Sequence, residues 1–446
     1  MFSKILIANR GEIAVRIIRA CKEMGICTVA IYSDADSEAL HASLADEAFC
    51  VGGPLVRDSY LNTAAIITAA KYSGAEAIHP GYGLLSENAE FAELCKENGI
   101  VFIGPSPDVI RKMGDKDEAR RTMTAAGVPL APGTEILKNA EEARKEAKSI
   151  GYPILLKARS GGGGRGIRPV YSEAEMETAF MSARAEAESA FGDGAVYMEK
   201  YLTDVKHVEV QLLRDCFGKT IIIGDRDCSV QRKNQKLIEE CPAPTLKEEV
   251  RIKMHEAAKK AADAVNYVTV GTVEFLYDGN ENFWFMEMNT RLQVEHSVTE
   301  MASGIDIVKW QIRTAACQPI NLEQQDVNIN IHAIECRICA EDPVDFKPGC
   351  GTINILHIPG GPGVRFDSAI YQNYTVPPYY DSLLGKLIVS SKTREEALRK
   401  MRSALSELVI DGIVQNSELF LDLLSEKEFI DGSYTTSFLN DRGHKK

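Results

Sequence analysis

Apolar runs of strand length alternate with amphipathic helical segments through the first 112 residues. Residues 4–8 (KILIA) and 26–33 (ICTVAIYS) have the composition of buried strands, and residues 11–24 repeat apolar positions at helical spacing. The same pattern continues with a helix at 60–73, a strand at 75–79, a helix at 86–98 and a strand at 100–104. Such alternation is typical of a parallel sheet with helices on both faces, so we expect a Rossmann-like α/β domain over residues 1–112.

The pattern becomes less regular after residue 317. Short strands rich in Gly and Pro follow, as in GCGTINILHIPGGPGVRF, and then Thr393 and Glu396 form a capping-box pattern ahead of an amphipathic helix. We therefore expect a mixed α+β domain over residues 328–446, which leaves a central region at 113–317.

Composition and charge narrow the class of protein. The chain has 446 residues, 45% of them hydrophobic, which fits a globular protein of about three domains. Its formal charge of −13 disfavours nucleic-acid binding. The sequence has neither an apolar run of membrane-spanning length nor a signal-peptide pattern, so we expect a cytoplasmic protein without membrane association.

Eleven scattered cysteines fit reduced thiols better than a disulfide framework. Cys336 and Cys339 form a CxxC pattern, but their flanks are strand-like, which would point the two side chains to opposite faces. We interpret them as buried thiols rather than as a metal site.

A glycine-rich loop occurs at residues 155–170, LLKARSGGGGRGIRPV. Gly161, Gly163 and Gly166 formally match the dinucleotide fingerprint, but a strand-like segment follows instead of a helix. The first turn of the chain, ANRGEI, has a single glycine, so NAD binding is not expected. The loop favours a β-loop-β flap whose backbone amides cover a polyphosphate beside Lys157, and a hairpin tip without a ligand stays open as the alternative.

A hairpin with two acidic strands follows. Strands at 270–277 and 283–288 flank an Asp-Gly-Asn turn, and a symmetric register places Glu274 opposite Glu287. Like charges at such a pair are destabilising unless a cation lies between them, and oxygen ligands select Mg²⁺ or Mn²⁺. Asn289 has the same parity and offers a third oxygen.

The same parity continues outward from this hairpin to Arg291, Gln293 and Glu295. A polar strand face in water is the alternative interpretation. The absence of lysine on this face favours a functional site instead.

Two further segments contribute candidate ligands. Residues 224–244 carry Arg226, Arg232, Lys233 and Lys236, a cationic cluster suited to a small oxyanion; a solvated loop neutralised by Glu239 and Glu240 is equally compatible. The segment MEKYL at 198–202 could offer an adenine edge a strand backbone, and His207 in HVEVQ is more often structural than a ligand contact. Together these features indicate an ATP-dependent ligase or carboxylase.

Seven motifs occur in order across nearly the whole chain: ILIANRGEIAVRIIRA, HPGYGLLSEN, MGDK, KARSGGGGRG, DRDCSVQRKNQK, EMNTRLQVEH and YDSLLGKLI. The chain resembles biotin carboxylase, an enzyme of the ATP-grasp superfamily. The resemblance implies an ATP-grasp domain at 113–317 with a flap subdomain at about 131–203, followed by a biotin carboxylase C-terminal domain.

The resemblance also implies roles for individual residues. The nucleotide would be bound by Lys116, Lys157, Gly163, Gly164, Glu199, Lys200, Tyr201, Leu202, His207, Gln231, Asn234, Glu274, Leu276 and Glu287. Two Mg²⁺ or Mn²⁺ ions would be held by Glu274, Glu287 and Asn289. Bicarbonate would be bound by Lys236, Arg291, Gln293 and Val294, and biotin by Arg337 and Tyr82. The catalytic groups would be Lys236, Arg291, Glu295 and Arg337.

Three positions depart from the family pattern. Asn234 replaces a frequent His near the nucleotide, Ser297 follows the EH pair where Pro is common, and Lys206 replaces a frequent Arg. None of these changes removes an implied acid, base or metal ligand.

The resemblance implies carboxylation of biotin on a separate biotin carboxyl carrier protein, with carboxyltransferase subunits as partners and a homodimeric state. No Met-Lys-Met biotin-attachment sequence occurs in the chain. The resemblance points to the first half-reaction of bacterial-type acetyl-CoA carboxylase, which leads to malonyl-CoA for fatty-acid synthesis. The alternatives are the corresponding subunit of a propionyl-CoA or pyruvate carboxylase, another ATP-grasp ligase, and a nucleotide-binding regulatory module that lacks catalysis.

Overall fold

A computed structural model describes residues 1–160 and 166–442. Gly163 and Gly164 of the glycine-rich loop therefore lie outside the described residues. The strands of the described part are β1 Lys4–Ile7, β2 Cys27–Tyr32, β3 Glu47–Cys50, β4 Ala77–His79, β5 Val101–Phe102, β6 Ile154–Ala158, β7 Ile167–Val170, β8 Val196–Lys200, β9 Lys206–Arg214, β10 Thr220–Arg232, β11 Gln235–Cys241, β12 Thr269–Tyr277, β13 Phe283–Asn289, β14 His332–Cys339, β15 Gly351–Thr352, β16 Ile355–His357, β17 Val364–Ser368, β18 Thr375–Val376, β19 Leu383–Ser391 and β20 Val409–Asp411.

The α-helices of the same residues connect and cover these strands. They are α1 Gly11–Glu23, α2 Leu40–Leu44, α3 Thr63–Ser73, α4 Ala89–Glu97, α5 Pro107–Gly114, α6 Lys116–Ala125, α7 Ala140–Ile150, α8 Met176–Phe191, α9 Glu248–Ala264, α10 His296–Ser303, α11 Ile307–Ala315, α12 Arg394–Glu407, α13 Ser417–Leu423 and α14 Lys427–Ile430. None of the described helices is long and apolar enough to cross a membrane.

The N-terminal sheet is parallel, in the order β3-β2-β1-β4-β5. The apolar residues of β1 are buried, and α1 is buried around nearly its whole circumference, including Ile13 and Ile17. The predicted parallel α/β architecture is confirmed. The sequence pattern missed β3, a short edge strand whose residues are mostly half-buried and so lack a strong apolar signal.

An eight-stranded antiparallel sheet forms the centre of the molecule, in the order β13-β12-β9-β10-β11-β14-β19-β17. Five strands come from the central region and three from the C-terminal region. Val208, Val210 and Leu212 on one face of β9 pack with α9 in a buried cluster. The opposite face of β9 carries His207, Glu209 and Gln211, all buried, so the strand is apolar on one side and polar on the other.

A separate three-stranded sheet, β7-β6-β8, packs with α7 and α8. Lys157 of β6 lies opposite Ile167 of β7 in an antiparallel register. The strand predicted after the glycine-rich loop is therefore confirmed, although the loop itself lies outside the described residues.

The C-terminal region completes the large sheet and adds its own helices. The Thr393 side chain accepts a hydrogen bond from the Glu396 N–H, and α12 buries Ala397, Met401 and Leu405 as expected. Cys336 and Cys339 are buried free thiols on β14. The mixed α+β character of this region is confirmed.

Candidate active site

One row of the eight-stranded sheet carries four charged residues side by side. Glu274 of β12 lies opposite Glu287 of β13 on one side and opposite Glu209 of β9 on the other, and Glu209 is in turn opposite Arg226 of β10. The predicted pairing of Glu274 with Glu287 is confirmed, although the register shifts by one residue between Glu274 and Phe275. The sheet thus places three carboxylates in succession next to one guanidinium group.

The buried Glu274 carboxylate collects four hydrogen bonds. Lys236 Nζ donates over 3.0 Å, Asn289 Nδ2 over 2.8 Å and Gln293 Nε2 over 2.7 Å to Oε1, and His207 Nε2 lies 2.7 Å from Oε2. Burial disfavours the charge of Glu274, but Lys236 and His207 outweigh it and hold the carboxyl pKa well below its ordinary value. Glu274 is therefore an ionised carboxylate.

Glu287 is the exposed member of the hairpin pair. Loss of hydration and the facing Glu274 carboxylate raise its pKa, whereas Lys116 lowers it. Two opposed carboxylates and the amide oxygen of Asn289 are the ligands that suit a hard divalent cation. These residues fit Mg²⁺ or Mn²⁺.

Lys236 lies between three buried carboxylates. Its Nζ donates over 2.6 Å to Glu209 and over 2.5 Å to Glu295, in addition to Glu274. Burial lowers the pKa of this ammonium group, but the three carboxylates raise it far above its ordinary value. Lys236 is therefore permanently charged.

Glu295 is ionised between two cations. One oxygen accepts from Lys236 and the other accepts from Arg337 over 2.8 Å. Burial raises the pKa of the Glu295 carboxyl group, but Lys236, Arg337 and Arg226 together hold it well below its ordinary value. A carboxylate in this state can accept a proton once a ligand draws the cations away.

Arg291 is tied to the same cluster. Its guanidinium donates to Gln293 over 2.6 Å, to Asn289 over 2.9 Å and to Glu87 over 2.9 Å. The strand alternation expected to extend to Glu295 is wrong, because β13 ends at Asn289. An irregular segment nevertheless brings the side chains of Arg291, Gln293 and Glu295 together.

The backbone of Val294, between Gln293 and Glu295, is hydrogen-bonded to the C-terminal region. Lys386 of β19, fully buried, donates over 2.7 Å to the Val294 carbonyl and lies 3.1 Å from Glu12 of α1. The Tyr82 hydroxyl donates to the same Glu12 carboxylate. Tyr82 and Val294 are thereby linked through one buried ion pair.

The nucleotide candidates of the flap subdomain surround Glu199 of β8. Lys157 and Arg120 both form ion pairs with its carboxylate. Burial raises the pKa of the Glu199 carboxyl group, but Lys157 and Arg120 outweigh it and lower the pKa. Lys116, the first residue of α6, is half-buried near Glu287, and burial lowers the pKa of its ammonium group.

The segment after Glu199 uses part of its backbone within the protein. The N–H of Lys200 donates to Pro132 and that of Tyr201 to Pro153, so these two donors are occupied in this conformation. Leu202 follows β8 and is half-buried. Any adenine at this segment would have to use other backbone groups.

The other nucleotide candidates lie on three strands of the large sheet. Leu276 of β12 shares its face with Glu274 and pairs with His207 of β9. Gln231 of β10 lies opposite Lys236 of β11. Asn234, in the turn between β10 and β11, is exposed with φ of 65°.

Residues 224–244 are not the solvated loop considered from the sequence. They form most of β10 and β11, and Arg226 is fully buried, where it donates to Glu209, Gln211 and Thr299. Lys233 is exposed at the turn, and Arg232 lies over the Phe346 ring. Of the four cations proposed as an oxyanion cluster, Arg226 and Lys236 both bind Glu209, and Lys236 also binds Glu274 and Glu295.

Several site residues escaped sequence reasoning. Glu209 and Gln211 follow His207 at strand spacing in HVEVQ. This alternation of polar and apolar residues could have indicated that they share the face of His207. Glu87 and Lys386 lie within the quoted motifs HPGYGLLSEN and YDSLLGKLI, and Glu239 was considered only as a neutralising charge. No local pattern assigns any of the three a place in the site.

Family models match nearly the whole chain. The biotin carboxylase N-terminal domain matches residues 1–110, the carbamoyl-phosphate synthase L chain ATP-binding domain matches 115–323, and the biotin carboxylase C-terminal domain matches 335–441. The two biotin carboxylase domains distinguish the chain from other ATP-grasp ligases.

Known proteins resemble the chain from end to end. Biotin carboxylase 1 of Bacillus subtilis is 54% identical over 442 residues, 98% of each chain. A biotin carboxylase–βγ-ATP complex from Campylobacter jejuni superposes with a TM-score of 0.96 at 49% identity, covering 99% of each chain. The biotin carboxylase domain dimer of Hydrogenobacter thermophilus 2-oxoglutarate carboxylase, solved with MgADP, ADP and bicarbonate, gives 0.95 at 50% identity, covering 100% of this chain and 98% of that one. The chain therefore belongs to the biotin carboxylases, ATP-dependent ligases that carboxylate biotin with bicarbonate.

Proposed function

We propose that this protein carboxylates biotin on a separate carrier protein as the first half-reaction of an acetyl-CoA carboxylase, with carboxyphosphate as the intermediate. The observation that carries the proposal is the ionised Glu295 carboxylate held between Lys236 and Arg337. One group is thereby shared between the cation that we assign to bicarbonate and the cation that we assign to biotin.

Bicarbonate binds to Lys236 and Arg291, with the Gln293 side chain and the Val294 N–H as further donors. Its negative charge competes with Glu295 for Lys236, which frees the Glu295 carboxylate to take the bicarbonate proton. The deprotonated oxygen attacks the γ-phosphorus of ATP, the bond to the β-phosphate oxygen breaks, and ADP leaves. Carboxyphosphate remains beside Lys236 and Arg291, whose charges stabilise it.

Glu274, Glu287 and Asn289 would hold Mg²⁺ or Mn²⁺ at the opposed carboxylate pair, with two ions as the expected number. When bound, the metal supplies positive charge to the phosphates of ATP. Lys116 and Lys157 lie toward the same side and contact the phosphates, and the remaining nucleotide candidates from Glu199 to His207, with Gln231, Asn234 and Leu276, surround the base and ribose.

Biotin is carboxylated after carboxyphosphate divides into CO₂ and phosphate. The phosphate takes the ureido N1 proton of biotin, and the resulting enolate attacks CO₂ to form the N–C bond. Arg337 stabilises the enolate oxygen, and Tyr82 lies on the biotin side of the site. Closure of the glycine-rich flap, including Gly163 and Gly164, would keep water from carboxyphosphate.

The proposal extends to organisation and partners. We assign residues 1–112, 113–317 with the flap subdomain at about 131–203, and 328–446 as the three domains. The partners are a biotin carboxyl carrier protein, carboxyltransferase subunits and a second copy of this chain. The 2-oxoglutarate carboxylase relative makes a keto-acid carboxylase the second candidate for the complete enzyme.

ADP release in the presence of bicarbonate tests the activity, measured with and without free biotin. We expect biotin to stimulate release and Glu295→Gln to abolish the stimulated rate. Unchanged turnover in that variant would overturn the role of Glu295. Reconstitution with carboxyltransferases that use acetyl-CoA, propionyl-CoA, pyruvate or 2-oxoglutarate separates the complete enzymes, and transfer to acetyl-CoA is the expected result.

A further inference from the structure

A second pair of glutamates faces each other in the large sheet. Glu239 of β11 lies directly opposite Glu335 of β14, and both side chains are fully buried. Cβ atoms at such positions are about 4.5–5.5 Å apart, so the two carboxyl groups are within reach of each other. Two buried ionised carboxylates in this arrangement would repel strongly.

In each of the two carboxyl groups, one oxygen accepts a hydrogen bond from a neighbouring side chain. Glu239 Oε1 accepts from Arg337 Nε over 2.6 Å, and Glu335 Oε2 accepts from the Ser297 hydroxyl over 2.7 Å. Among the described residues, Glu239 Oε2 and Glu335 Oε1 have no hydrogen-bond partner. A proton between these two oxygens would satisfy both at once.

The surrounding cations do not balance the pair. Arg337 is shared between Glu239 and Glu295, and Lys386, which faces Glu335 from β19, is shared with Glu12. Lys236 on β11 is already bound to three carboxylates. The neighbours therefore leave one negative charge of the pair uncompensated.

The pKa values agree in direction. Burial raises the pKa of Glu239 and of Glu335, and the opposing carboxylate raises that of Glu335 further; Arg337 and Lys386 reduce the shifts without cancelling them. Raised values favour the neutral form of one member at neutral pH, so the two groups titrate as a unit.

We propose that Glu239 and Glu335 share one proton, with the Glu335 carboxyl group donating to Glu239, and that this bond positions Arg337 for biotin. Glu239 and Glu335 are positioning residues, because they act through Arg337. The consequence for biotin rests on the function proposed above for Arg337.

Infrared spectroscopy of the full-length protein tests the shared proton directly. At neutral pH, the spectrum of the wild type minus that of Glu335→Gln should contain the C=O stretch of a protonated carboxyl group. Glu240→Gln is the matched control, because Glu240 is the next residue on β11 and its carboxylate is bound by His332 and Arg394. Absence of the band from the Glu335→Gln difference, or an equal band in the control, would overturn the shared proton.

Kinetics test the positioning. Above the pKa of the pair, the biotin-stimulated rate of ADP release should fall about tenfold per pH unit relative to the bicarbonate-dependent rate, because one titrating proton is lost. Glu335→Gln keeps a neutral donor and should remove this decline. An identical alkaline decline in both proteins would overturn the inference, whereas a wild type without any biotin stimulation would contradict the proposed function instead.

Discussion

The large sheet contains two opposed glutamate pairs that differ in their surroundings. Glu274 and Glu287 have one exposed member and lie near Lys116, whereas Glu239 and Glu335 are both sealed from solvent. An open pair can accept a cation from solution, but a sealed pair can reduce its repulsion only with what the fold encloses. The same carboxylate repulsion therefore predicts a bound metal at Glu274 and Glu287 and a shared proton at Glu239 and Glu335.

The largest expected effect concerns Lys236, which compensates the open site before any metal binds. Lys236→Met leaves Glu209, Glu274 and Glu295 without their shared cation, so the free energy of unfolding should fall by about 3 to 5 kcal/mol. Denaturant unfolding at neutral pH measures the loss. The loss should shrink at acidic pH, because the carboxylates can then take up protons.

Lys233→Met is the matched control for Lys236→Met, because Lys233 is exposed at the nearby turn. We expect it to leave the unfolding curve nearly unchanged. Equal destabilisation by both variants would contradict the central role of Lys236.

The second effect concerns the metal at the open pair. Glu287→Gln removes one of the two opposed carboxylates, so Mn²⁺ affinity should drop and ADP release should slow by roughly 10²–10³-fold. Glu281→Gln, at the exposed turn of the same hairpin, is the control. A Mn²⁺ titration by electron paramagnetic resonance that gives the same affinity for the wild type and Glu287→Gln would argue against the assigned ligands.

The third effect concerns Glu240, the residue next to Glu239 on β11, and its contribution to the free energy of unfolding at acid pH. Burial raises the pKa of the Glu240 carboxyl group, but His332 and Arg394 lower it to about 2 from 4.5. A depressed pKa gives stability that is complete above pH 4.5 and is lost as the pH falls toward 2. At about 1.4 kcal/mol per pH unit, the contribution is roughly 3 kcal/mol.

Denaturant unfolding of the wild type and Glu240→Gln between neutral pH and the acid limit of folding measures this contribution. The stability difference between the two proteins should decline as the pH falls below 4.5. Glu395→Gln, an exposed neighbour of Arg394, should show no such decline. A constant difference across the acid range would be the contrary outcome.

The smallest effect concerns the Ser297 hydroxyl, which donates to Glu335 of the sealed pair. Ser297→Ala removes the donor to Glu335 Oε2, so the free energy of unfolding should fall by about 1 kcal/mol. Ser303→Ala on the same helix is the control, because its hydroxyl donates to the Thr299 carbonyl rather than to a glutamate. Ser303→Ala also loses a bond from the Ile305 N–H, so it measures the cost of removing a helix hydroxyl that binds no glutamate. A negligible loss in Ser297→Ala would mean that Glu335 gains nothing specific from Ser297.

The two pairs also differ in how far sequence alone could predict them. Glu274 and Glu287 lie on adjacent strands of one hairpin, so a sequence argument could bring them to within one residue of the observed pairing. The register at the turn pairs Tyr277 with Phe283, and a one-residue irregularity between Glu274 and Phe275 then sets Glu287 opposite Glu274. Glu239 and Glu335 belong to strands separated by three α-helices, one hairpin and a long connection. No local rule fixes the register between such distant strands, so the sequence leaves open whether Glu239 lies in a solvated loop or in the site.

A similar limit applies to Lys386 and Glu12. Glu12 belongs to the helix predicted at residues 11–24 and Lys386 to the motif YDSLLGKLI, but their contact joins β19 to α1. Local periodicity identifies strands and helices, whereas the partners of buried charges depend on the completed packing.

The position of β11 has a consequence for how the chain is made. As the protein leaves the ribosome, β9–β13 are synthesised before β14 and β19, so β11 is an unpaired edge until the C-terminal strands arrive. Glu239 and Glu240 on that edge oppose pairing with another nascent chain, because charged side chains aimed into an interface discourage strand addition. Their partners Arg337 and Arg394 belong to β14 and α12, so this edge is neutralised only after those later elements have been synthesised.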